Sequence, residues 1–105
     1  MNLEVTFHSA NPDSYRASAS NQTVFGALPP VATTPAQDVL TSTGTADQTS
    51  AVDSAVIARV MADGNCRVHW GASATATASV GMKLVADQEA FLLLASGDRV
   101  SMISV

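Results

Sequence analysis

From Ala55 to Val105, short runs of alternating apolar and polar residues are interrupted by residues suited to tight turns. No other feature constrains the fold of this chain as strongly. Successive side chains on an extended strand point to opposite faces. Over Ala55–Ala62 this puts Val56, Ala58, Val60 and Ala62 on one face and Ile57, Arg59 and Met61 on the other. Asp63-Gly64-Asn65 follows, and these residues tolerate the positive φ that a short hairpin loop requires. On the return, Cys66, Val68 and Trp70 share a face, with Arg67 and His69 opposite. A slip of one residue would exchange those sets, so the register is well specified and Trp70 reads as a core anchor. Met82–Ala86 and Ala90–Ala95 flank Asp87-Gln88-Glu89, and Ser96-Gly97-Asp98 leads into Arg99–Val105. Three hairpins are read from this: Ala55–Ala62 with the strand from Cys66, Met82–Ala86 with Ala90–Ala95, and Ala90–Ala95 with Arg99–Val105. Within the fourth of these runs FLLLA is apolar on both faces, which predicts a central strand covered on both sides. Gly71–Val80 lacks a helical apolar stripe and reads as a loop.

The first third is less regular. Leu3, Val5 and Phe7 alternate with Glu4, Thr6 and His8, which predicts a half-buried strand. Asn11-Pro12-Asp13 stops it, and Thr23–Leu28 reads as a short strand. Pro29, Pro30 and Pro35 hold their preceding residues extended, so Leu28–Ala36 reads as a connector or arm. The stretch from Gln37 is rich in Thr, Ser and Ala. It reads as strands at Val39–Thr43 and Gln48–Val52 around a bend at Gly44, with a linker as the other reading. Strands at this spacing predict an all-β chain: a small antiparallel β-sandwich or jelly-roll-like barrel with an extended N-terminal segment. The expected division is residues 1–36 as strand and arm and residues 37–105 as a sandwich that folds without them.

Composition narrows the function. A chain of 105 residues has room for one core. Charged residues are only 13%, which weakens the self-repulsion that keeps proteins apart and suits a chain packed against neighbours. Net charge is −4 with five Lys and Arg, too few for a basic patch, so neither nucleic acid nor an anionic membrane is an expected partner. No run approaches the roughly 18 apolar residues of a membrane-spanning helix. MNLEVTFHSA has neither a basic region nor a long apolar stretch, so no signal peptide is expected and synthesis in a cytoplasm is.

No residue set carries a reaction. Cys66 and His69 would make a nucleophile–base pair only if they met, yet three positions apart on a strand they face opposite ways. Cys66 reads as a small core residue. His8 and His69 without a carboxylate make a poor metal site. Asp63, Asp87 and Glu89 fall near one sheet end, where a calcium ion would need several oxygens, but no calcium-loop spacing is present and they read as solvated turn residues. There is no GxSxG, SxxK, GxxxxGK[ST] or GxGxxG. Aromatic residues at 5% are too few for stacking platforms. No catalytic, cofactor-binding or metal-binding residue is therefore assigned, and an enzyme is not expected.

Four stretches carry a family likeness: QDVLTSTGTADQTSAV, ARVMADGNCRVHWGASATAT, MKLVADQEAF and SGDRVSMI. In order and spacing, Gln37–Val105 resembles a recurring small β-rich domain of tailed-bacteriophage structural proteins. Trp70-Gly71 matches its aromatic–glycine strand end, and Gly97-Asp98-Arg99-Val100 its last strand. The chain departs where the family has Pro (Ala74 here) and Pro-Ala-Gly (Val85-Ala86-Asp87 here). The resemblance implies a virion component, above all a capsid decoration or cement protein on the outer head surface. It would be made in the host cytoplasm, bind the major capsid protein across neighbouring capsomers, and self-associate as a dimer or trimer. A neck, tail or fibre-associated module, with host-surface binding, is the alternative.

Overall fold

Leu3, Val5 and Phe7 are fully buried, and the strand that carries them runs through the middle of a sheet. The computed structural model describes residues 1–9 and 37–105; the expected stop at Asn11-Pro12-Asp13, strand at Thr23–Leu28 and arm at Leu28–Ala36 lie outside the described residues. The described residues form eight strands: β1 (Asn2–Ser9), β2 (Gln37–Thr41), β3 (Asp47–Gln48), β4 (Val56–Ala62), β5 (Cys66–Gly71), β6 (Met82–Leu84), β7 (Glu89–Leu94) and β8 (Arg99–Ser104). They make two four-stranded sheets, β2-β1-β4-β7 and β3-β8-β5-β6, in which all pairings are antiparallel. The fold is the expected β-sandwich, in its two-sheet form and not as a closed barrel.

The winding is nested. β5 pairs with β6, β4 with β7 and β3 with β8, like one long hairpin folded over on itself. The next pair outward would join β2 to a strand after β8; β1 fills that place instead. This is a jelly-roll winding with its closing strand supplied from the N-terminal side. The sequence set residues 1–36 apart from the sandwich, but the sheet order puts β1 inside it, between β2 and β4.

From β4 onward the strands form where expected, but the three hairpins do not; before it, β2 lies two residues earlier than expected, and of the expected strand Gln48–Val52 only Gln48 is in β3. β4 and β5 belong to different sheets, as do β6 and β7, and β7 and β8. Asp63-Gly64-Asn65 and its counterparts carry the chain across the core. Alternation explains why the sequence misled. A short turn that reverses the strand within its sheet and one that crosses to the facing sheet both keep the apolar residues inward. FLLLA also departs from expectation: β7 is an edge strand, not a central one. Trp70, read as a core anchor, is 37% exposed near the end of β5.

The core is formed by the inward residues of both sheets, among them Phe7, Leu40, Val60, Val68, Leu94 and Met102, all nearly inaccessible. The loop after β5, expected from the sequence, lies over the outer side of the second sheet. Ala76 donates its amide to Ser101 Oγ at 2.9 Å, and Arg67 donates through Nε to the Ala78 carbonyl at 2.8 Å and through Nη1 to that of Gly81 at 3.0 Å. Ala74, Ala76 and Ser101 are buried as a result.

Candidate interaction surface

With one outer side covered by that loop, the outer side of the β2-β1-β4-β7 sheet is the other broad face; it is exposed around Val39, Phe91 and Leu93, whereas His8 in its last row is buried. Strand register dictates what it presents. One row runs Val39, Glu4, Met61, Glu89; the next Gln37, Thr6, Arg59, Phe91; the last His8, Ile57, Leu93. Val39, Phe91 and Leu93 are large apolar residues at 46%, 53% and 71% exposure, far more than a half-buried strand needs to leave in water. Arg59 donates through Nε and Nη2 to Glu89 Oε2, so the cation and anion between the apolar rows neutralise each other. The pair is exposed and contributes only about 0.2–1 kcal/mol; its larger effect is to keep the face free of net charge there.

The groups considered for chemistry lie elsewhere and apart. Cys66 is fully buried and faces the core, while His69 lies on the opposite face of β5. Burial pushes the Cys66 thiol above its ordinary value, and the Asp63 carboxylate adds to the rise. A thiol held neutral in this way is a poor nucleophile. His8 sits in the first sheet and His69 in the second, on opposite outer sides of the sandwich, so they cannot share a ligand. Asp63 and Asp87 do come together, around a shallow hollow of about 240 Å³ that Asn2, Glu4 and Met61 also line. Glu89 is drawn off by Arg59, and Asp63 Oδ1 accepts the Asn2 amide at 2.7 Å. Among the described residues no three metal-binding side chains cluster.

Sequence reasoning missed the apolar outer face because its signal was assigned to burial. Phe91 and Leu93 belong to the two-sided apolar run FLLLA, and the alternation of Ile57 and Met61 against Val56 and Val60 was also visible. Which side of each strand lacked a cover was not. No protein-family model, curated protein or solved structure matches this chain.

Proposed function

We propose that this chain is an adhesive structural module of a tailed-phage virion, of the capsid decoration kind, that holds neighbouring shell subunits together without a reaction centre. The observation that carries the reading is the outer face of the β2-β1-β4-β7 sheet, with Val39, Phe91 and Leu93 exposed around an internally neutralised Arg59–Glu89 pair. Around the neutralised pair such a face loses little charge hydration when it is covered, while Glu4, between Val39 and Met61, needs water or a cationic partner in the contact; apolar area removed from water stabilises the contact by about 25 cal/mol per Å². The resemblance of Gln37–Val105 to phage structural domains supports the choice of partner. Many copies on one shell reinforce contacts that are weak singly.

The test is stoichiometry and binding. Quantitative mass spectrometry of purified particles is expected to find hundreds of copies, and the isolated protein is expected to co-sediment with expanded shells. About a dozen copies or fewer, the number a tail or neck ring would carry by symmetry, would move the protein to the alternative position. Complete absence from particles would end the reading.

A further inference from the structure

Among the described residues the two sheets end in four edge strands, and they are not alike. In the second sheet the edge strands are β3, of two residues, and β6, of three, too short to template another strand. In the first sheet the edges are β2 and β7. At β2 the ladder fixes which amides face out. Met1 and Ser42 exchange both backbone bonds at 3.0 Å, so by the two-residue alternation of an antiparallel pair Leu40 and Asp38 face β1. Val39 and Thr41 therefore turn outward, and both amides are already taken: Val39 donates to Asp38 Oδ1 at 2.8 Å and Thr41 to Asp47 Oδ2 at 3.1 Å. That edge is closed by carboxylates.

β7 has no such closure. Ala62 donates to the Gln88 carbonyl at 3.1 Å, so Val60, Ala58 and Val56 face β7 through Ala90, Leu92 and Leu94. The amides and carbonyls of Phe91 and Leu93 then point away from the sheet, and among the described residues none accepts from either amide. The open stretch is bounded at one end by Asp98 Oδ2, which takes the Ala95 amide at 2.9 Å, and at the other by the Arg59–Glu89 pair. Between them, Ala90–Leu94 carries no charge, no proline and no bulge, the devices that natural edge strands use to prevent pairing.

We propose that the free edge of β7 pairs with the same edge of a second copy of this chain, antiparallel across a two-fold axis through Leu92. The strand complements itself. With Leu92 on the axis, Phe91 lies opposite the second copy's Leu93, and Leu93 opposite its Phe91, in the positions that exchange both backbone bonds. Phe91 and Leu93 share the outer face, so the pairing also sets an aromatic ring against an aliphatic side chain on each side of the axis. An oppositely charged partner strand gains nothing on an uncharged edge, whereas an identical one matches it. The two four-stranded sheets become one continuous sheet. An edge contact buries less than the about 1,600 Å² of a standard interface, so the dimer is concentration-dependent. The inference does not depend on the shell reading.

Sedimentation velocity from about 1 µM to about 1 mM tests it. The protein is expected to pass from monomer to dimer over that range. Leu93→Pro removes an amide that faces away from β4 and leaves the β4–β7 ladder intact; Phe91→Lys and Leu93→Lys place charge on the edge without touching the backbone. Each is expected to weaken dimerisation at least about tenfold with the β-sheet circular dichroism unchanged. Should Leu93→Pro fail to fold, the two lysine variants decide. A protein that stays monomeric throughout, or a dimer that all folded variants retain, overturns the proposal.

Discussion

Ser42 ties the two sheets together with one hydroxyl. It is buried, and its backbone pairs with Met1 in the first sheet. Its Oγ donates to the Thr45 carbonyl at 2.7 Å and accepts the amides of Gly44 at 3.3 Å and of Ser104, in the second sheet, at 3.0 Å. Ser42→Ala leaves those groups without their partner, at about 1–3 kcal/mol. Urea unfolding is expected to show a lower midpoint with an unchanged slope, since the exposed surface is the same. Nothing in the sequence distinguished Ser42 from Thr41 or Thr43 beside it, because its role comes from a contact 62 residues away. Cys66, by contrast, was legible: one small apolar residue at an inward position. Its thiol is raised by burial first and Asp63 second. A raised folded value means the neutral form favours the native state. That contribution is complete below the unfolded thiol's 9.0 and is lost as pH rises through the folded value. Cys66→Ala is expected to lower stability at neutral pH through the small cavity it leaves, yet to lose less than the parent between neutral and alkaline pH in parallel denaturation curves. Trp70 shows the limit of such reading. Alternation says which side of a strand a residue faces, not how far the facing sheet extends to cover it.

Gly81 governs how the loop after β5 rejoins the sheet. Its φ is +124°, and a Cβ there would sit 2.9 Å from the Val68 carbonyl oxygen, a backbone atom that cannot swing aside. Its own carbonyl accepts from Arg67 at 3.0 Å, which pins the loop to β5. Gly81→Ala is therefore expected to cost about 1–3 kcal/mol and to speed hydrogen exchange first at the Ala76 amide, which ties the loop to Ser101 of β8, and at the Val80 amide, which bonds within the loop to Thr77. At the scale of elements the sequence was clear on strand positions from β4 onward and on the turn residues between them. It was silent on destination. Asp63-Gly64-Asn65 satisfies the backbone demands of any tight reversal, and only competition for neighbours decides the rest. β4 has both its edges taken by β1 and β7, so β5 has no place beside it. β7 shows the same principle from the other direction. A two-sided apolar run predicts cover on both sides; within one chain it has cover on one, and the mismatch is what marks its outer face and edge as a surface for contact.

For the whole molecule, the decisive fact is that the sandwich is closed by a strand distant in sequence from both its neighbours. β1 pairs with β2 and with β4, and its link to β2 is the segment 10–36. Leu3, Val5 and Phe7 are each fully buried, and burying side chains of this kind contributes about 1.5–3 kcal/mol apiece, or about 4.5–9 kcal/mol together. That is comparable with the about 5–15 kcal/mol that separates folded from unfolded domains. Removing β1 also opens the ladder edges of β2 and β4 at the centre of a sheet. Residues 37–105 alone are therefore expected to lack a sandwich's circular dichroism and a cooperative thermal transition. The inward Leu3, Val5 and Phe7 and the pairings with β2 and β4 specify the register of β1. A peptide of residues 1–9 added in excess is thus expected to restore both signals, with a midpoint that rises with peptide concentration as binding to the folded form requires. Replacing Val5 in that peptide with Asp puts an unpaired charge in the core and is expected to abolish rescue. If residues 37–105 instead fold cooperatively without the peptide, β1 is an appendage, and the division at residue 36 is the true one.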